Sequence, residues 1–378
     1  MRSAGKEPLS LALIDARNHT LRWAGALESM PGSATWQLGH IGWSQEFWIA
    51  RNVQRQRGER GDATHPKLAS ILPGADALFE SPSAAPWPDL QTVRQYLVDT
   101  LETTLELLDG AAEDDDALYF YRLALLREDA CVEHLAVLAQ TLGLDTGLLA
   151  PPVTRPVREP LLFPATRASI GSAPGGFVPD AEKWAHEIAL PEFEIDAQAV
   201  TWSQYAEFVE DGGYDDRRHW LGAGWQWLQA QGRRTPRHVD QLRQGVLQRR
   251  FGKAMRVPLA QPVCHVSWYE ADAWCRWAGR RLPGEAEWEA AAVGGRSRGF
   301  RWGDVNEWTA GTLRPYPGAP AAASPGQAEV AGGADAAASR VLRGASFATR
   351  GRLRCETARR AESPLHDEGF NGFRSCAF

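Results

Sequence analysis

The sequence predicts a two-domain chain of class α + (α+β), a four-helix bundle followed by a domain of short strands, few helices and much irregular structure. Three observations predict it. The first 150 residues hold four long stretches whose apolar residues recur every three or four positions, which marks helices with one buried face. Residues 151–160, PPVTRPVREP, contain four prolines, a density that no regular element survives. Beyond them the pattern breaks into short segments rich in Gly and Trp. At 378 residues the chain is also longer than one core sustains, since single cores stop growing at roughly 250–300 residues. The bundle is therefore expected over residues 1–150, a Pro-rich linker over 151–165 and the α+β domain over 166–378.

Each element has its own warrant. In residues 7–29, Leu9, Leu13, Ala16, Thr20, Trp23 and Leu27 step by four and three along one helical face. A second stretch carries Trp36, His40, Trp43 and Phe47 on nearby turns. Asp89 is placed to cap a third helix with Leu90, Val93, Leu97, Leu101, Leu105 and Leu108 on its stripe, and Gly110 closes it. The fourth follows the acidic run Glu113–Asp116, whose charge suits a helix N-terminus, and ends at Gly143. Residues 55–88 read as an extended loop. In the second domain helices are expected near 201–211 and 267–279. The stretch 317–339 is rich in Ala and Gly, lacks aromatic or branched anchors, and is expected to be a mobile loop.

Composition narrows the function. The net charge is −6, which excludes an electrostatic nucleic-acid binder needing a basic face. No apolar run reaches the roughly 18 residues of a membrane span. The start, MRSAGKEPLSLALIDARNH, has no continuous apolar region, so no secretory signal is expected. Five cysteines, an odd number without a CxxC pair, fit reduced thiols in the cytoplasm. Sixteen tryptophans suit cores and the walls of small-molecule pockets.

Three stretches then carry a resemblance: PVCHVSWYEADAWCRWAGRRLPGEAEWEAAA at 262–292, FRWGDVNEWTAG at 300–311, and VLRGASF with GFRSCAF from 341 to 378. In this order they resemble the formylglycine-generating-enzyme (sulfatase-modifying-factor) superfamily. The stretch WQLGHIGWSQEFWIARN at 36–52 resembles the segment of a DinB-type bundle that supplies the first iron-binding histidine of ergothioneine-type sulfoxide synthases. LALIDARNHTLRW, LASILPGAD and LYFYRLALLREDA most resemble the selenoneine synthase branch of that family. The resemblance implies a cytoplasmic oxidoreductase in which three bundle histidines hold a mononuclear iron(II). It implies hercynine and a thiol or selenosugar as substrates, joined at the imidazole through a C–S or C–Se bond with oxygen. The alternative is a metal-free, non-catalytic paralogue that binds a small molecule in the cleft between domains.

The sequence departs from that pattern where the chemistry should lie. His40 matches the first ligand position. The family's other two ligands sit in a His-Glu-Asp-Met-His run, which here reads Arg127-Glu128-Asp129-Ala130-Cys131. Arginine stays protonated and offers no lone pair to a metal. Arg127, Cys131 and His134 fall at about 0°, 40° and −20° around a helix, so they share one stripe. His40, Cys131 and His134 thus form a candidate metal set, better suited to zinc or copper than to iron. The other reading is a polar cluster in which Arg127 pairs with Glu128, Glu133 or Glu46. By resemblance, substrate contacts fall to Arg127, Glu128, Asn306, Trp308, Cys355, Arg359 and Arg360. Asn306 stands where the family usually has tryptophan, Cys355 where it has histidine, and Arg360 where it has asparagine. The bland alternatives are an isolated thiol at Cys355 and a surface ion-pair group of Arg359 and Arg360 with Glu356 and Glu362.

Overall fold

A computed structural model describes residues 1–26, 32–80, 87–150, 152–242, 244–327 and 339–378. Leu27 of the first stripe and residues 328–338 of the low-complexity stretch lie outside the described residues. The chain forms two compact units.

Among the described residues the first unit holds the α-helices α1 (Lys6–Ala26), α2 (Gly32–Trp48), α3 (Ala75–Phe79), α4 (Leu90–Asp109) and α5 (Asp115–Leu142), with a 3-10 helix over Arg55–Arg60. The four long ones are those the stripes predict, and the short α3 interrupts the expected loop at 55–88. Asp89 caps α4 through its side chain, which accepts from the Thr92 amide at 2.8 Å. Both α1 and α2 pack on α4. Leu9, Leu13, Ala16, Leu108, Leu118 and Phe120 make a core from three of the helices.

The unit also takes in residues 174–180 and the described part of 320–330. The Phe177 amide donates to Arg2 O at 2.8 Å, and the Phe177 ring lies 5.2 Å from Tyr119. Ser324 through Gln327 are buried. Ser324 donates to Asp180 twice at 2.6 Å. Gln327 Nε2 donates to Tyr119 Oη at 2.9 Å and to Val178 O at 3.2 Å, while Tyr119 Oη donates to Pro325 O at 3.0 Å. Residues 324–327 are therefore a strap across the bundle and correct the expectation of a mobile loop. The anchors are hydrogen bonds and a glycine, not the apolar side chains that a composition reading looks for.

The second unit is built from small sheets. Its elements are β1 (Leu161–Phe163), β2 (Thr166–Ile170), β3 (His186–Leu190), β4 (Phe193–Ile195), α6 (Trp202–Glu210), α7 (Gly222–Gln231), β5 (Val239–Gln241), β6 (Val246–Arg250), β7 (Lys253–Val257), α8 (Trp268–Trp277), α9 (Glu285–Gly294), β8 (Asn306–Trp308), β9 (Arg340–Gly344), β10 (Arg359–Glu362) and β11 (Asn371–Phe373). Strands β1 and β4 pair, as do β2 and β3, and β5, β6 and β7 form a meander. The fourth sheet runs β10-β9-β8-β11, with β11 parallel to β8 and the other pairs antiparallel.

Helices α6 and α8 arise where the sequence places them. Each opens with a capping box, Thr201 with Gln204 and Ser267 with Glu270. Their buried faces bring Trp202, Tyr205, Phe208, Trp268 and Trp274 against Trp308 and Phe373. The chain after β11 is stitched back into this unit. Asp196 N donates to Ser375 O at 2.9 Å, Cys376 exchanges two backbone bonds with Arg281, and Ala377 N donates to Glu194 O at 3.0 Å.

Candidate functional site

His40 lies on α2, half-buried, with its ring stacked on Trp36 at 4.9 Å and on Trp43 at 5.4 Å. These indoles stand three and four positions away, so the helix itself lines them up with the imidazole. His40 Nδ1 is 2.8 Å from Phe79 O, which ties the imidazole to α3. The same region is fixed from the other side by Asp76, which accepts from Trp43 Nε1 at 2.7 Å and pairs bidentately with Arg51 at 2.6 and 2.9 Å. That guanidinium holds the Asp76 carboxyl below the usual range.

One turn beyond His40 stands Ser44. Arg127 reaches it from α5, donating through Nη1 to Ser44 Oγ and through Nη2 to Gly326 O of the strap. The guanidinium thus joins α2, α5 and the strap.

Glu128, the next residue, faces inward. It is buried and pairs with Arg17 of α1, at 2.7 Å to Nε and 3.1 Å to Nη2. Arg17 also donates to Leu97 O and Gln45 Oε1. Glu46 accepts from Ser70 Oγ at 2.6 Å, Ile71 N at 2.7 Å and Tyr96 Oη at 2.6 Å. Two of the three carboxylates named as partners for Arg127 therefore have structural posts of their own.

In the second unit, Asn306 and Trp308 lie buried on β8, and Trp308 Nε1 donates to Val266 O at 2.9 Å. Arg359 is buried on β10. It pairs bidentately with Glu285 at 2.8 and 3.0 Å, donates to Ala181 O and Arg314 O, and lies 3.9 Å from the Tyr316 ring centroid. Arg360, its neighbour on the strand, is exposed. Alternate strand residues face opposite ways, so these two arginines do not make one anion-binding fork. Cys355 is half-buried, with Sγ 3.0 Å from Thr357 Oγ1, which donates to Glu182 at 2.6 Å.

Sequence reasoning missed Ser44 and Gly326, the partners of Arg127. The Pro-Gly pair at 325–326 is a turn signal, but nothing local says what its carbonyl meets. It also missed Arg343, a buried cation held by Glu289 and Glu356 O, and Tyr316, whose buried hydroxyl has no hydrogen-bond partner among the described residues.

The DinB superfamily profile matches residues 12–139, and the sulfatase-modifying factor enzyme 1-like domain profile matches residues 148–304. The hercynine oxygenase of Mycolicibacterium thermoresistibile is 29% identical, spanning 97% of this chain and 94% of its own. That of Mycolicibacterium smegmatis is 29% identical over 98% of each chain. The chain thus matches the ergothioneine-type architecture, a DinB domain followed by a formylglycine-generating-enzyme-like domain. A formylglycine-generating enzyme of Streptomyces coelicolor is 35% identical over 40% of this chain and 54% of its own.

The resemblance implies a metal in the DinB domain, and the residues present do not fit one. Among the described residues no group of three or more His, Cys, Asp or Glu side chains is placed to hold a metal ion. His40, Cys131 and His134 are not gathered into such a set. His134 is exposed, while burial, with Glu128 adding to it, pushes the half-buried Cys131 thiol up to about 12. Arg127 adds a permanent cation at a ligand position, which disfavours iron(II), zinc and copper alike. No helix of the described residues is long and apolar enough to cross a membrane.

Proposed function

We propose that this protein acts on hercynine or a closely related histidine betaine, joining a thiol or selenosugar to its imidazole in an oxygen-dependent reaction. The observation that carries this reading is the similarity to hercynine oxygenases along nearly the whole of both chains. Of the substrate positions that the resemblance names, Cys355 and Arg360 keep accessible surface and are read as ligand-facing. Asn306, Trp308 and Arg359 are buried and are read as positioning residues, and Glu128 as a structural one. The five cysteines are all free thiols, in keeping with a cytoplasmic protein.

A second reading is favoured by Arg127 and its bonds to Ser44 and Gly326. It is a paralogue that binds the betaine and has left metal chemistry behind. One experiment separates the two. Calorimetric titration with hercynine and with histidine is followed by an oxygen electrode, on adding cysteine or a selenosugar. Tight binding of hercynine over histidine is expected under both readings, and oxygen uptake that needs both substrates selects the first. Binding without uptake selects the second reading. Equal, weak binding of hercynine and histidine removes both.

A further inference from the structure

We propose that Arg127 replaces a metal ion as the cross-link of the DinB domain, so that the strap at 324–327 is held by a fixed organic cation. The inference rests on the misfit of the metal site and not on the identity of the substrate.

Three segments distant in sequence meet at this one side chain. Arg127 lies 83 positions from Ser44 and 199 from Gly326, and donates to both. A planar guanidinium with several N–H groups suits this task, because it can bond in two directions at once. A thiol, with its single weak S–H donor, cannot.

The strap is shaped to receive it. Gly326 has φ +79°, a left-handed conformation, and a Cβ there would stand 2.4 Å from Leu123 Cδ2 and 3.4 Å from the Trp48 indole. The backbone therefore sits directly on α2 and α5, with its carbonyl turned to the guanidinium. Ser324 on Asp180, and Gln327 on Tyr119 and Val178, hold the two flanks. The cation that holds the strap is part of the chain itself, so unlike a metal ion it neither dissociates nor loses its charge near neutral pH.

The test is hydrogen–deuterium exchange with mass spectrometry on the full chain, with and without a chelator, beside anaerobic iron(II) titration. In the wild type, peptides covering 320–327 and 174–180 are expected to be protected equally with and without chelator. In Arg127→Ala the same peptides should exchange about tenfold faster, the size expected for losing one or two buried hydrogen bonds, while α4 peptides stay unchanged. Arg127→Lys should fall between the two. Should Arg127→Ala fail to fold, Ser44→Ala carries the test, with exchange of the same peptides raised about threefold. Unchanged exchange in the variant used overturns the proposal. So does chelator-sensitive protection in the wild type, or about one iron per chain that is lost in His40→Ala. None of these readouts involves hercynine, so the substrate reading stands or falls separately.

Discussion

Two carboxylate oxygens of Glu128 meet one guanidinium, that of Arg17, with both side chains about 1% exposed. Removing one partner of a buried pair leaves an uncompensated charge and costs roughly 3–5 kcal/mol. Glu128→Gln is therefore expected to shift the urea midpoint of the first unit strongly downward, while hercynine affinity per folded molecule stays at the wild-type level. A normal midpoint with lost affinity would return Glu128 to the substrate. This residue also shows what a sequence can and cannot give. That Arg127 does not ligate is intrinsic to a guanidinium, and is legible from its identity alone. That Glu128 turns inward to Arg17, or that Arg127 finds Gly326, depends on partners 111 and 199 positions away. No local pattern encodes those distances.

Among the elements, α2 depends on the absence of a side chain. A Cβ at Gly39 would lie 2.1 Å from the Phe79 ring, which is fully buried. Gly39→Ala must push Phe79 outward, and Phe79 carries the carbonyl that meets His40. The helix propensity gained, about 1 kcal/mol, is smaller than the cost of displacing a buried aromatic ring, roughly 2–3 kcal/mol. The variant is expected to melt several degrees lower, with changed tryptophan emission from Trp36 and Trp43. A melting point at or above the wild type would show that α3 yields freely. The long helices and α6 and α8 were legible because stripes and capping boxes are local. Helix α7 begins with Gly-Ala-Gly and α9 has glycine rather than a polar side chain at its cap, so neither announces itself. The strap escaped for a different reason. A composition of Ala, Gly and Ser says nothing about backbone bonds made to Asp180 and Tyr119.

For the molecule as a whole, stability carries a pH signature set in the second unit. Burial holds the His238 and His265 imidazoles neutral, down to about 4 and about 3, with Arg237 adding to the first and His238 to the second. Arg233 also opposes protonation of His238, and Asp367 favours it. In the unfolded chain both titrate near 6.5. Below that pH the unfolded state takes up protons that the fold refuses, so stability is complete above about 6.5 and falls as pH drops toward 4. Glu270, raised by its own burial, works in the opposite sense. We expect the melting temperature to fall by roughly 5 °C between about pH 7.5 and about pH 5, and by less in His265→Asn. Calorimetry at constant ionic strength measures it, and a melting point that rises on acidification contradicts the account.

The strand β11 and the residues after it have a kinetic consequence. Strand β8 cannot acquire its parallel neighbour, nor Arg281 and Glu194 their backbone partners, before residues 371–377 exist as free chain. During synthesis the helices of the first unit can assemble early, while Trp308 and its surroundings wait with a seam still open. Closure of the second unit is therefore expected to be a late step, waiting on residues 371–377.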